Sequence, residues 1–112
     1  MTPAQRRCDA IHEIGCIACH KLDKPYTPCQ VHHINLDDKA GQKRLGELFT
    51  VGLCPWHHEA IRPDCYTEEW MLGEFGPSRK LHSRAFKAKF GNGDALLVYQ
   101  DERIAELKAR AA

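Results

Sequence analysis

The chain has 112 residues, with 16 basic and 15 acidic side chains, six Cys and seven His. That length suits one compact domain and excludes a two-domain enzyme with a large buried cleft, and a formal net charge of +1 argues against a histone-like electrostatic binder. No apolar run reaches the roughly 18 residues of a membrane span and none follows the N-terminus as a secretory signal would, so a cytoplasmic chain with reduced thiols is expected.

In chain order, Thr2 and Pro3 supply an N-cap and a first-turn proline, and Ile11 and Ile14 share a face, which predicts a short helix over 3–14. Gly15, Pro25 and Pro28 then break the chain and suit a knuckle or turn with no long regular element. Residues 29–34 are rich in β-branched side chains and predict a strand, followed by a polar loop over 35–47. A second strand over 48–53 leads into Pro55, well placed in the opening turn of a helix. Thr67 and Ser78 are candidate N-caps for helices over 68–75 and 79–90, and Asp94 for one over 95–110. In that last helix Leu97, Ile104 and Leu107 fall on one stripe, which must pack on something.

The six Cys and seven His need a chemical reason. Cys16-Ile17-Ala18-Cys19 is a C-x-x-C and Cys54-Pro55-Trp56-His57 a C-x-x-H, so two pairs stand at knuckle spacing. Three thiolates and one imidazole close a tetrahedron around Zn²⁺ and leave no open position, which makes such a site structural. The competing readings are a redox dithiol or unconnected buried thiols. Cys16-Ile17-Ala18-Cys19-His20 also satisfies the haem-attachment string, but that chemistry needs an exported chain. Cys8, Cys29 and Cys65 are left over as small buried hydrophobes, with Cys29 near enough to the knuckles to be a further ligand.

His32-His33 ends the first predicted strand and His58 directly follows the second knuckle, so the zinc would draw three imidazoles together. Neutral imidazoles bind divalent cations and act as general bases near pH 7, which equips the group for phosphodiester hydrolysis. Alternatively, the three form a second structural zinc site or are polar turn residues. Between Ser78 and Phe90 stand Arg79, Lys80, Arg84, Lys87 and Lys89 with no acid, the best phosphate-binding patch in the chain, supplemented by Lys39, Lys43 and Arg44. A solvated helix face balanced by Glu68, Glu69 and Glu74 explains the same charges. Phosphate contacts carry no sequence information, so little sequence specificity is expected.

On Cys16-Ile17-Ala18-Cys19, Val31-His32-His33-Ile34 and Gly52-Leu53-Cys54-Pro55-Trp56-His57-His58, the chain resembles the HNH, or ββα-metal, nuclease superfamily. More narrowly, it is similar to the recombination-enhancement, RecA-dependent nuclease family of phages and prophages. That likeness draws on Gly76-Pro77-Ser78, Phe86 to Phe90-Gly91, and Leu96-Leu97 with Gln100-Asp101. The resemblance implies a single small α+β domain: a zinc-stapled ββα-metal, treble-clef-like core over about 14–66, a helical N-terminal segment and a helical extension over 67–112. It implies a metal-dependent DNA endonuclease in which His32 and His58 hold a catalytic Mg²⁺ or Mn²⁺ and His33 is the general base. Glu59, Asp64 and His82 are candidates for a third ligand. Neighbouring residues on a regular strand point to opposite faces, so His32 and His33 serve one phosphate only if the strand ends or bulges there. The family's middle Asn would fall near Phe49 or Thr50, neither of which is Asn, and Asn35 reads as lying on the wrong side of the loop. The implied partners are DNA, as single strand, duplex or displacement loop, and a RecA filament, with the chain acting as a monomer. A zinc-stapled module that binds DNA or a recombinase without catalysis is the alternative.

Overall fold

A computed structural model describes residues 1–35 and 46–111. Its elements run α1 (Pro3–Ile14), α2 (Ile17–Lys21), β1 (Gln30–His33), β2 (Thr50–Leu53), α3 (Pro55–Glu59), α4 (Glu68–Phe75), α5 (Ser83–Phe90) and α6 (Gly93–Ala111). Among the described residues the two strands form one antiparallel sheet, with Gln30 opposite Leu53, Val31 opposite Gly52, His32 opposite Val51 and His33 opposite Thr50. The protein is thus a small α+β fold.

Helix α1 forms where predicted. Thr2 and Gln5 close a reciprocal capping box, and the helix stops at Gly15, whose φ of +85° is open to glycine at little cost. A side chain at Gly15 would also meet the Thr27 carbonyl at 2.6 Å. The knuckle region contains a short helix, α2, that the breakers Gly15 and Pro25 conceal. Cys16 caps it with its sulfur, which accepts the Cys19 N–H, and Cys54 caps α3 in the same way through the His57 N–H. Each C-x-x-ligand motif is therefore a helix start as well as a ligand pair.

The strands are shorter than predicted: Cys29, Ile34, Leu48 and Phe49 fall outside them, although the Ile34 N–H still donates to the Phe49 carbonyl at 3.0 Å. Leu48 and Phe49 are exposed, so their hydrophobicity does not mark core-facing strand positions. Ile11, Ile17, Val51, Leu53, Trp56, Phe86, Phe90 and Leu96 make the buried interior. Gly52 lets α1 approach the sheet, since a Cβ there would stand 2.8 Å from both Cys29 Sγ and Ile11 Cγ2.

Helix α6 packs against α1, β2 and α2. Its deepest residues are Leu96, Gln100 and Ile104, whereas the predicted stripe positions Leu97 and Leu107 are only half-buried. The helix is rotated from the predicted stripe because Gln100, fully buried, accepts the Gly52 N–H at 2.8 Å and satisfies a strand donor that would otherwise be orphaned. Arg7 adds a bridge, donating to the Thr50 carbonyl and to Asp101, both at 2.7 Å. The cap of α6 is Asn92, whose Oδ1 accepts the Ala95 N–H, and not Asp94.

Helix α4 matches its prediction, with Thr67 as the cap. Helix α5 does not: it begins at Ser83, and the predicted cap Ser78 is fully buried in the preceding turn. There the Ser78 N–H donates to His82 Nδ1 at 3.1 Å and the Arg79 N–H to the His57 carbonyl at 2.9 Å, so residues 78–82 are committed to α3 and to each other. No described helix is long and apolar enough to cross a membrane.

Candidate functional site

Two sites meet at α3. The first is a buried cluster of Cys16, Cys19, Cys54 and His57, whose ligand atoms all lie within 4.8 Å of one another. The starts of α2 and α3 deliver the two pairs. His57 Nδ1 lies 3.5 Å from Cys16 Sγ, 3.6 Å from Cys19 Sγ and 3.2 Å from Cys54 Sγ, and Cys19 Sγ is 3.9 Å from Cys54 Sγ. Tetrahedral zinc, with Zn–S near 2.3 Å and Zn–N near 2.05 Å, sets ligand separations of roughly 3.6–3.8 Å. The four separations above, 3.2–3.9 Å, lie close to that range, so the donor set fits the ion. The far nitrogen supports the same reading: His57 Nε2–H donates to the Phe75 carbonyl at 2.7 Å, which turns Nδ1 toward the sulfurs.

Without an ion the cluster shares its protons. Burial, reinforced by the two neighbouring sulfurs, pushes the Cys16 thiol far up. Hydrogen bonds from Cys16 and Cys19 hold Cys54 far down, as the thiolate of the group. Burial opposes charge on His57, but the facing Cys19 and Cys54 outweigh it and lift the imidazole to about 9. A dication bound by the four residues would replace these protons, which would couple metal loading to pH and to folding. Cys29 is not in the cluster; its S–H donates to the Ile11 carbonyl at 3.4 Å and burial raises it to about 11. Nor are the leftover cysteines uniformly buried: Cys65 is exposed and Cys8 is half-exposed on α1 beside His12.

The second site is a small, open pocket of about 230 Å³ lined by Val31, His32, His33, Asn35, His58 and Arg79. Strand β1 ends at His33, so the two adjacent histidines reach the same cavity despite the strand's alternation, as the sequence required. His33 also lines the neighbouring groove beside the start of α1 with Thr2, Gln5 and Cys8. The rings of His32 and His58 stand 4.9 Å apart, centroid to centroid. Two imidazoles on one cation stand roughly 5 Å apart, given a metal–nitrogen bond near 2.1 Å. His58 Nδ1 is 2.9 Å from Gln30 Oε1, so an Nδ1–H donated to Gln30 leaves the Nε2 lone pair for a ligand. Burial lowers His58 and, with the nearby Arg79, outweighs the attraction of Glu59, which keeps the ring neutral near pH 7.

The three histidines do not gather as the zinc cluster does: among the described residues that cluster is the one set of three or more side chains close enough to hold an ion by themselves. Asn35 corrects the sequence reading, since it lines the pocket with the histidines. It stands two residues after His33, the spacing that shares a strand face, and this was the available signal. Of the third-ligand candidates, His82 is occupied by the Ser78 N–H and by Glu68 at 3.4 Å, while Asp64 and Glu59 are exposed and line no part of the pocket. Gln30, which orients His58, carried no motif that sequence reasoning could have used.

The basic patch is not one helix face. Arg79 and Lys80 sit in the turn before α5, and only Arg84, Lys87 and Lys89 are on the helix. Arg84 and Lys87 are at i, i+3 and share a side, whereas the stem of Lys89 lies against Gly76. Lys39, Lys43 and Arg44 lie outside the described residues. A groove of about 840 Å³ between α1 and α6 collects both acids and bases, among them Glu13, Glu106, Arg103 and Arg110, and no described set of metal ligands.

A buried four-ligand cluster that could hold zinc, beside an open pocket lined by three histidines, makes this a small α+β protein with a candidate metal centre. Residues 2–105 match the family model described as "Recombination enhancement, RecA-dependent nuclease". The chain belongs to that family. Comparison with curated proteins and with solved structures finds no significant match.

Proposed function

We propose that this protein is an HNH-type, metal-dependent endonuclease that hydrolyses DNA phosphodiester bonds, and that the histidine pocket is its active site. The observation that carries the reading is the convergence of His32, His33 and His58 on one open cavity beside a four-ligand cluster that needs none of them. The β1–β2–α3 order, with its strand-end histidines and the following helical histidine, agrees with a ββα-metal core.

In this reading Cys16, Cys19, Cys54 and His57 hold a structural zinc, while His32 and His58 hold the catalytic Mg²⁺ or Mn²⁺. When bound, that dication neutralises charge on the phosphate and on the leaving oxygen. His33 is the general base: an imidazole at the strand end that takes a proton from the attacking water. Gln30 holds His58 in the tautomer that presents Nε2. Asn35 offers a carboxamide to the same cavity. Lys80, Arg84, Lys87 and Lys89 provide sequence-independent contacts to DNA phosphates flanking the site. The family's name supports recombination as the setting and a RecA filament as a partner.

The test is cleavage of labelled single-stranded, duplex and displacement-loop DNA, with and without a RecA filament, by the zinc-loaded chain and its His33→Ala variant. Loss of general-base catalysis costs on the order of 10²–10⁴-fold. The variant should lose cleavage by that factor while keeping its zinc and its DNA affinity. Wild-type rates from His33→Ala would remove the assigned mechanism.

A further inference from the structure

Arg79 belongs to a different part of the machinery from the basic patch in which its sequence neighbourhood puts it. Three hydrogen bonds fasten the last residue of α4 and the segment after it to α3: His57 Nε2–H to the Phe75 carbonyl at 2.7 Å, Trp56 Nε1–H to the Gly76 carbonyl at 3.0 Å, and Arg79 N–H to the His57 carbonyl at 2.9 Å. Gly76 turns the chain at a φ of +79°, Pro77 stiffens it, and the buried Ser78 is tied to His82. The backbone at Arg79 thus has little freedom, and its side chain lines the cavity with His32, His33, Asn35 and His58.

The guanidinium Nε is buried and makes no hydrogen bond among the described residues. A buried donor left unpaired is costly, so an acceptor supplied by a ligand accounts for its persistence. The chemistry of that ligand follows from the lining, which among the described residues has three imidazoles, a carboxamide and a guanidinium and no carboxylate. Such a cavity suits an anion with several acceptor oxygens, and a guanidinium is the side chain best shaped to bind two oxygens of a phosphate at once.

We infer that Arg79 binds the non-bridging oxygens of the phosphate undergoing cleavage, and that the zinc-ligand helix positions it through the His57 carbonyl and the anchored 75–79 segment. The inference rests on the nuclease reading of the pocket. It gives the knuckle a second task, because the residue whose Nδ1 completes the zinc cluster also fixes, through its backbone, the residue that meets the substrate.

The experiment has two arms, both on the zinc-loaded full chain. Single-turnover cleavage with Mg²⁺ and a RecA filament should fall on the order of 100-fold in Arg79→Gln and in Arg79→Lys, as removal of one charge-stabilising donor does elsewhere. Zinc content should stay at the wild-type level, and loss of DNA affinity should be no larger than that of Arg84→Gln. In the second arm, without Mg²⁺, inorganic phosphate is titrated while the side-chain Nε–H signals are followed by ¹⁵N NMR. The Arg79 signal should shift and saturate, and that of Arg110 should not. Wild-type cleavage by Arg79→Gln, or an Arg79 signal unmoved by phosphate, overturns the inference. If instead His33→Ala still cuts, the nuclease mechanism fails while a saturating Arg79 shift preserves the anion site, so the two failures are distinguishable.

Discussion

His57 and His58 are consecutive residues of one five-residue helix, yet they serve sites of opposite design. His57 is fully buried, its Nε2–H is committed to the Phe75 carbonyl, and its Nδ1 completes a cluster of four ligands with nothing left over. His58 is partly exposed and borders an open cavity with two other imidazoles that do not close around a common point. About 100° of rotation per residue is enough to separate the two. In the proposed reading the contrast divides metal chemistry: a closed set of four ligands suits a structural ion, and an open one leaves positions for substrate and water.

The largest effect that would break this contrast comes from the closed side. Cys16→Ser or Cys54→Ser should leave the chain unfolded at 25 °C, because zinc binding in small domains is worth on the order of 10 kcal/mol, comparable to the whole stability of a domain. Circular dichroism and zinc content would check this, and a folded, zinc-free Cys16→Ser protein would contradict it. On the open side, His58→Ala should preserve folding and zinc but abolish Mg²⁺- or Mn²⁺-supported cleavage, as measured by gel assay across metal concentrations. Gln30→Ala is a gentler probe of the same side. Removing the partner that orients a ligand histidine typically costs roughly 10–100-fold in metal affinity or activity, and added Mn²⁺ should recover part of the loss. The smallest change is expected away from both sites: Gln100→Ala leaves the Gly52 N–H without its acceptor and should lower stability by about 1–3 kcal/mol, read from thermal melts. Its zinc content should be unchanged.

The zinc cluster was legible in the sequence because ligand spacing is a local property that survives without knowledge of the fold. Helices α1 and α4 were legible for the same reason, through Thr2-Pro3 and Thr67. What the sequence concealed depends on contacts between distant segments. Ser78 has the chemistry of an N-cap, but its turn is claimed by the His57 carbonyl through Arg79 and by His82, so α5 starts later. Gln100 carries no hydrophobic signal, yet a strand N–H makes it the most buried polar residue of α6. In the pocket, His32, His33 and His58 were predicted together, whereas Asn35 was misassigned because the stretch 35–47 was read as loop from its first residue. Arg79 was read as one charge among five, since nothing local separates a guanidinium held over a cavity from one in solvent.

The central claim is that one site is closed by zinc and the other stays open for an exchangeable dication. The most direct measurement counts metals in the purified chain: zinc by elemental analysis, then Mn²⁺ by equilibrium dialysis, for wild type and His58→Ala. The account predicts one tightly held zinc in both proteins and one weak Mn²⁺ site present only in the wild type. Two tightly held zinc ions per wild-type chain, the second lost with His58, would contradict it and make the histidine pocket a second structural centre.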